Sequence, residues 1–154
     1  MLKDIFDNIQ TEIINTVKNI KEPVTYIDTY KYQNIVPYKQ RCKESIHIRY
    51  KYPERVPVIV NIQDLSLKLK KNKLLIPEDY TMSLAICGIR KQLILENYQA
   101  IFVFCDNMLV PNSQTIGELY ENYKIRNNIK NYDDDQYLYL TLCLENTFGK
   151  IQKK

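Results

Sequence analysis

Histidine, tryptophan and glycine are scarce in this sequence, which has one His, no Trp and only 3 Gly. The single histidine, His47, lies in a charged stretch typical of a helix surface. Together with four cysteines that form no Cys-x-x-Cys pair, it offers little from which to build a zinc site or a Cys–His catalytic pair. No apolar run approaches the roughly 18 residues of a membrane span, and the net charge of +4 is too weak to argue for nucleic acid. We therefore expect no metal, no cofactor and no nucleic acid partner.

The bulk composition suits one compact domain. The 154 residues, 45% of them hydrophobic and 26% charged, are enough for a single folded unit with room for an extension. The first residues turn acidic early and lack the apolar block of a signal peptide, so we expect a cytosolic protein. Cys87, Cys105 and Cys143 interrupt apolar stretches, and we interpret all four cysteines, Cys42 included, as buried free thiols.

The last ten residues carry the most informative pattern. Residues 145–149 read Glu-Asn-Thr-Phe-Gly and are followed by a short basic tail, Lys150–Lys154. Glycine has no Cβ, so a chain ending at Gly149 could thread a narrow enzyme channel and present an unhindered carbonyl for activation. Such a chain would first have to lose its tail. On the ending alone, the alternative is a frayed terminus that happens to contain a glycine.

The first 36 residues predict an amphipathic helix followed by a tether. Apolar side chains recur every three or four residues over 2–20 and place one stripe on a helix, formed by Leu2, Ile5, Phe6, Ile9, Ile13, Val17 and Ile20. Pro23 ends this helix. Residues 24–36 show no clear period, which is typical of a tether.

The rest of the chain predicts an α+β fold. Its elements are a helix over 37–50, a strand over 56–62, a strand over 73–77, a helix over 81–93 capped by Thr81, strands over 100–105 and 108–110, a short helix capped by Ser113, a polar loop over 127–135, and a strand over 137–144. Pro57 within the first strand argues for an edge strand or for the start of pairing. Hairpins on both sides of a central crossover indicate a β-grasp, a mixed sheet folded over one main helix.

Five blocks of sequence together resemble one known family. They are Lys51–Val60, Lys73–Asp79, Ile89–Lys91, Ala100–Phe104 and Glu145–Gly149. In this order, over residues 36–149, they resemble the autophagy-related protein 8 family, above all its GABARAP-like members. The resemblance implies a ubiquitin-like fold with two added N-terminal helices, here preceded by the extra amphipathic helix. It divides the chain into an extension (1–35), a modifier domain (36–149) and a propeptide (150–154).

The resemblance also implies a substrate of conjugating enzymes and not an enzyme. A cysteine protease would remove the tail, and activating and conjugating enzymes would join Gly149 to the amine of phosphatidylethanolamine. Thr147 and Phe148 would lie in the channels of these enzymes. The protein would then be cytoplasmic until lipidated and held on the autophagosomal membrane afterwards, without a membrane span.

A second implied function is the capture of cargo receptors and adaptors that carry aromatic-x-x-aliphatic motifs, by addition of a strand to a free sheet edge. By the family's pattern, the first pocket maps to Glu44, Ile48, Pro57, Ile59, Lys73, Leu75 and Tyr137. The second maps to Leu74, Ile76, Pro77, Tyr80, Ala85, Gly88 and Ile89. Arg55, Lys71 and Lys73 would favour acidic residues beside the motif. For the apolar members, the alternative is plain core packing.

Some residues depart from the family's pattern. The family tends to place an aromatic where Ala85 stands, a larger aliphatic at Gly88 and a basic residue at Gln92. The smaller side chains predict a roomier second pocket that prefers bulkier aliphatic or aromatic residues.

Several alternatives stay open at the level of sequence. The extension has nearly balanced charge, which favours packing on its own domain or a partner over membrane docking. Its Phe6–Ile9 segment could also mimic the peptide motif in the groove. The whole chain could act as an unconjugated peptide-binding scaffold or decoy. An unrelated β-grasp nucleic-acid binder is disfavoured, because the charge is weak and no aromatic platform is evident.

Overall fold

The structure is a computed structural model that describes residues 31–62, 69, 71–93 and 100–144. The predicted helix over 2–20, the Phe6–Ile9 segment and the ending with Thr147, Phe148 and Gly149 lie outside these residues. So do the extension and propeptide as a whole, apart from residues 31–35.

The order of elements agrees with the sequence pattern. Two helices, α1 (Tyr32–Ile35) and α2 (Tyr38–Lys51), precede β1 (Arg55–Ile62), β2 (Lys73–Pro77), α3 (Met82–Gln92), β3 (Ile101–Cys105), β4 (Met108–Leu109), α4 (Ile116–Arg126) and β5 (Leu138–Leu144). The α+β prediction of a mixed sheet over one main helix is confirmed.

The prediction of a tether over 24–36 is wrong for the residues the structure describes. Residues 32–35 form the short helix α1, and Tyr32 and Val36 are buried at 2% and 1% exposure. Because these two side chains are four residues apart, one turn of helix places both on the same face. Burial of that face orders a segment whose sequence shows no longer period.

The five strands form one sheet in the order β2-β1-β5-β3-β4. β1 and β5 are parallel, and the other neighbouring pairs are antiparallel. β1 is therefore an inner strand, and the edge position considered for Pro57 is wrong. The other expectation, that Pro57 marks the start of pairing, is confirmed, because β5 joins β1 only from Val58 onward.

The register explains why a proline is tolerated inside β1. The amide of Val60 donates to the carbonyl of Asn72, and the alternation of an antiparallel ladder then makes Pro57 and Leu75 a non-hydrogen-bonded pair. The nitrogen of Pro57 thus points away from β2 and towards the side of β5, which pairs with β1 only from Val58 onward. The missing N–H therefore costs no ladder hydrogen bond.

The two faces of the sheet carry separate apolar clusters. The inner face packs on α3 and α4 and forms the main core, and β5 contributes Leu138, Leu140, Leu142 and Leu144, as its alternation predicts. The outer face packs on α1 and α2 through a smaller cluster made of Tyr32, Val36, Ile48, Ile59 and Tyr137. β1, β2 and β5 supply residues to both clusters, and alternate residues along each of these strands face opposite layers.

Capping residues and turn residues in the sequence account for most boundaries of the helices and strands. The hydroxyl of Thr81 accepts from the amide of Leu84 and begins α3, as predicted. For α4 the cap is Thr115, which accepts from Glu118, and the prediction of Ser113 is wrong by two residues. Asp106 and Asn107 both have positive φ, 50° and 64°, which suits a two-residue turn between β3 and β4.

The cysteines differ in burial, although all four were predicted to be buried. Cys105 and Cys143 are buried, Cys42 is half-buried and Cys87 is exposed on α3. All four are free thiols. Cys87 lies on the solvent side of its helix because its neighbours in the core are Ala85 and Ile89. His47 is exposed, as expected.

The two glycines within helices provide a matched test of packing. We expect Gly88→Ala to raise the free energy of unfolding by about 0.5–1 kcal/mol, because alanine favours the helix and a Cβ at Gly88 meets nothing within 4 Å. We expect Gly117→Ala to lower it by about 1 kcal/mol or more, since its Cβ would lie 3.0 Å from the carbonyl oxygen of Glu78. Urea unfolding of both variants measures the difference, and shifts of the same sign would contradict this account.

Candidate functional site

Strand β2 forms one edge of the sheet. It is first in the strand order and pairs with β1 from Lys73 to Pro77, so its far side faces away from every other described strand. An edge strand of this kind can accept an extended peptide as an additional strand. The residues on either face of β2 then decide which side chains such a peptide needs.

The structure brings the predicted first-pocket residues together on the outer face. Glu44 and Ile48 come from α2, and Tyr137 directly precedes β5. Pro57, Ile59, Lys73 and Leu75 come from the outward-facing positions of β1 and β2. All seven are buried except Leu75, which is half-buried. The set is therefore closely packed.

Tyr32 is a further member of this set that the sequence did not indicate. Its hydroxyl donates to Oε2 of Glu44 at 3.0 Å. Its ring meets that of Tyr137 edge-on, with 5.6 Å between the centroids. Burial, followed by the neighbouring Tyr137 and Glu44, raises the pKa of Tyr32 well above its usual value. The only local signal was the pair of apolar residues, Tyr32 and Val36, one helical turn apart.

A buried ion pair lies at the centre of this set. Nζ of Lys73 is 3.1 Å from Oε2 of Glu44, and the two residues are only 1% and 9% exposed. The ammonium also lies 4.9 Å from the ring centroid of Tyr32 and 5.6 Å from that of Tyr137. Gln40 donates to the other oxygen of Glu44 at 2.9 Å. Each charge is thus compensated by hydrogen bonds or rings as well as by its partner.

Asp135 fixes the position of Tyr137. Its Oδ1 accepts from the amide of Tyr137 at 3.0 Å, and its Oδ2 accepts from Arg41 at 2.8 Å and from the hydroxyl of Tyr139. Burial and then the negative charge of Asp135 raise the pKa of Tyr139. Because Arg41 belongs to α2, this network also joins the helix to the start of β5.

Four of the seven predicted second-pocket residues lie on the opposite, inner face of the sheet. Ile76, Ala85 and Ile89 are part of the main core, and Leu74 packs against it. Tyr80 is 39% exposed, Pro77 is half-buried and Gly88 is exposed. The core-packing alternative therefore applies to three members. Open space remains beside Gly88, where an added Cβ would meet nothing within 4 Å.

The basic residues predicted to flank a peptide bound along β2, Arg55 and Lys71, do not form one cluster. Arg55 is opposite Pro77 at one end of β2, whereas Lys71 precedes the strand at the other end. Both are half-buried. The carbonyl of Arg55 accepts from the guanidinium of Arg49 at 2.6 Å, which ties this end of β1 to α2.

The alternation of a strand limits which side chains of an added peptide could reach both faces of β2. Successive residues of a strand point to opposite faces, so residues three apart also point to opposite faces. The first set lies on the outer face of the sheet, and Leu74, Ile76, Ala85 and Ile89 of the second set lie on the inner face. An aromatic residue and an aliphatic residue three positions later would thus each meet one set.

Comparison with known proteins decides the family. The family model described as "Autophagy protein Atg8 ubiquitin like" matches residues 40–149. The chain belongs to the Atg8 family. The resemblance seen in the five sequence blocks is thereby confirmed, and so is the ubiquitin-like fold. The chain is a ubiquitin-like protein of autophagy.

Curated Atg8 proteins match most of the chain. Autophagy-related protein 8e of Arabidopsis thaliana is 39% identical over 114 residues, which are 73% of this chain and 87% of that protein. Autophagy-related protein 8b of the same plant is 40% identical over 124 residues, or 79% of this chain and 93% of that protein. Autophagy-related protein 8 of Coccidioides immitis (strain RS) is 37% identical over 122 residues, or 77% and 97%.

A solved Atg8 structure shares the fold. The crystal structure of Trypanosoma brucei ATG8 superposes with a TM-score of 0.63 at 27% identity, over 77% of this chain and 97% of that one. In the part of this Atg8 chain that the structure describes, no helix is both long enough and apolar enough to cross a bilayer.

Removal of one charge from the buried pair tests its role in stability. We expect Glu44→Gln to lower the free energy of unfolding by about 3 kcal/mol, because the ammonium of Lys73 would stay buried without a countercharge. The double variant Glu44→Gln/Lys73→Met should recover most of this loss, since no buried charge remains. Urea unfolding of both variants measures the free energy of unfolding.

The matched control is Glu54→Gln, which removes the same charge at an exposed position. It should change stability by less than about 0.5 kcal/mol. A double variant that is less stable than Glu44→Gln alone would contradict this account of the pair.

Proposed function

We propose that this Atg8 chain is processed at Gly149, is conjugated to phosphatidylethanolamine, and captures aromatic-x-x-aliphatic motifs of cargo receptors and adaptors along β2. One observation carries the proposal for the groove. It is the edge strand β2, which pairs on one side only among the described strands and has one apolar set on each face of the sheet. The proposal for conjugation is supported by family membership and by the glycine ending.

The peptide would bind by main-chain pairing to β2. Its aromatic side chain would enter the outer set beside Leu75, the half-buried member. Because the other members are already packed together, entry requires the ion pair of Glu44 and Lys73 and the ring of Tyr32 to shift. The free energy of that rearrangement lowers the observed affinity. The aliphatic side chain would lie on the inner face, beside Gly88.

The conjugation chemistry would use the carbonyl of Gly149 only. A cysteine protease would hydrolyse the bond between Gly149 and Lys150, with Thr147 and Phe148 in its channel. An activating enzyme would adenylate the new carboxylate with ATP and pass it to a cysteine as a thioester. The amine of phosphatidylethanolamine would then displace the thiol and form an amide. All catalytic residues belong to the partner enzymes.

Lipidation would change where the protein acts. The unconjugated chain would be cytoplasmic, and the conjugated chain would be held on the autophagosomal membrane by the two acyl chains of the lipid, which suffice for stable anchoring. The groove would then bring cargo receptors to that surface.

Processing is the first step to test. We expect a processing protease of the Atg8 family to remove Lys150–Lys154 from the full-length chain, and intact-mass spectrometry measures the loss. Gly149→Ala should abolish it, because a Cβ obstructs the channel that glycine can thread. An unchanged mass, with the protease active on its usual substrate, would instead favour an unconjugated scaffold or decoy that uses the same groove.

The second-pocket preference can be tested at Gly88. On a peptide array, we expect bulkier aliphatic or aromatic residues at the last motif position to bind best. Gly88→Leu should weaken those peptides by about tenfold relative to peptides with small aliphatic residues, since one larger side chain fills the open space. Cys87→Leu, which places the same side chain at the exposed neighbouring position, is the control. A preference of the unaltered chain for small aliphatic residues would contradict this account.

A further inference from the structure

A cavity of about 360 Å³ lies between the N-terminal helices, the end of α4 and the start of β5. Its main lining residues come from these elements and are Tyr38, Arg41, Tyr123, Ile129, Asp134 and Tyr139. We name it the tyrosine cavity. None of the described residues that line it belongs to β2 or to either predicted peptide pocket. It is therefore separate from the proposed groove, and its volume lies within the range of small-molecule sites.

Arg41 is fixed in position but keeps one nitrogen available. Its Nε donates to the carbonyl of Val36 at 3.1 Å, and its Nη1 donates to Oδ2 of Asp135 at 2.8 Å and to the hydroxyl of Tyr139 at 3.2 Å. The guanidinium carbon also lies 5.4 Å from the ring centroid of Tyr38. Within the described chain, Nη2 donates to no acceptor. Its two N–H groups are thus oriented in advance for an acceptor on a ligand.

Tyr123 supplies a second unused donor. The residue is only 9% exposed, and it packs in the main core. Its hydroxyl has no hydrogen-bond partner among the residues that the structure describes, and it is not fully enclosed by protein, so it meets the open space of the cavity. Burial, and then the charges of Asp106 and Asp135, raise the pKa of Tyr123, which keeps the proton on the hydroxyl. A side chain buried to this extent and still unpaired requires an explanation.

The charges of the lining select against an anion. One guanidinium and two carboxylates, those of Asp134 and Asp135, line the cavity, so its net charge is negative. Asp134 already accepts from the hydroxyl of Tyr38 at 3.2 Å and from a backbone amide, although each of its oxygens retains a lone pair. A ligand therefore has to bring an acceptor for Arg41 and Tyr123 without bringing negative charge. A carboxamide does so, and its nitrogen can also donate to a carboxylate.

The apolar part of the lining favours a flat ring. The rings of three tyrosines and the side chain of Ile129 surround the cavity. Aromatic rings pack well against one another when offset or edge-on. A volume of 360 Å³ equals that of about twelve water molecules, which is enough for one substituted ring and too little for a dinucleotide.

We propose that the tyrosine cavity binds a small, flat, uncharged ring compound that carries a carboxamide. The carbonyl would accept from Nη2 of Arg41 and from the hydroxyl of Tyr123, and the amide nitrogen would donate to Asp134. The ring would pack between Ile129 and the tyrosines. Such a ligand would join α2 to α4 and to the start of β5, and its binding would therefore raise the free energy of unfolding.

Three probes of one shape test the class of ligand. Benzamide, benzoate and benzamidinium differ only in the group on the ring, which is neutral, negative or positive. We titrate each into the full-length chain and follow backbone amide signals by NMR. We expect benzamide to give saturable shifts around residues 38–41 and 123–129 and to bind at least about tenfold more tightly than the other two. Benzoate is repelled by the two carboxylates, and benzamidinium offers no acceptor to Arg41 and Tyr123.

Tyr123→Phe separates binding from folding. It removes only the hydroxyl, which has no partner in the described fold, so urea unfolding should be unchanged. Binding of benzamide should weaken by about fivefold, because one hydrogen bond to the ligand is lost. Tyr132→Phe is the matched control, since it makes the same change at a residue that is 58% exposed in the loop after α4. It should leave both binding and stability unaltered.

Four outcomes would overturn the proposal. They are the absence of saturable shifts with benzamide, equal binding of the three probes, tightest binding of benzamidinium, and an unchanged affinity for benzamide in Tyr123→Phe. Tightest binding of benzamidinium would identify a cation site in the acidic lining instead. Peptide binding along β2 and processing at Gly149 are measured separately, so failure here and failure of the proposed function are distinguishable.

Discussion

The ion pair between Glu44 and Lys73 links four elements of the described fold. Glu44 comes from α2 and Lys73 from β2, and the hydroxyls of Tyr32 and Tyr137 both donate to the same carboxylate oxygen. One buried charge pair thus joins both N-terminal helices to the edge strand and to the start of β5. Since buried charges are costly unless fully compensated, this arrangement constrains how all four elements approach.

The same pair couples stability to the proposed groove. It lies where the aromatic side chain of a bound peptide would have to enter, among residues that are almost entirely buried. In the proposed function, a peptide would have to provide enough binding free energy to rearrange contacts that also hold α1 and α2 on the sheet. Main-chain pairing along β2 would supply part of this energy.

Much of the fold was predictable because its signals are local. Leu138, Leu140, Leu142 and Leu144 alternate as the core strand requires, and Thr81 caps α3 through its own side chain. The candidate groove was predictable only through the family resemblance. No local pattern relates Glu44 to Tyr137, which are 93 residues apart in sequence. The tether predicted over residues 31–36 is wrong for the same reason. The single helical turn there is ordered by packing against distant residues, which no local pattern indicates.

The sequence by itself determined the element types, the family and the glycine ending, because periodicity, capping and motif order are properties of neighbouring residues. The tertiary structure decided which face each residue joins and which neighbours it meets. Pro57 is tolerated on an inner strand because the pairing of β1 with β5 starts one residue later, at Val58. Cys87 is exposed whereas Cys143 is buried. Tyr32 joins the candidate site because long-range packing, which no local pattern encodes, brings it against Glu44, Lys73 and Tyr137.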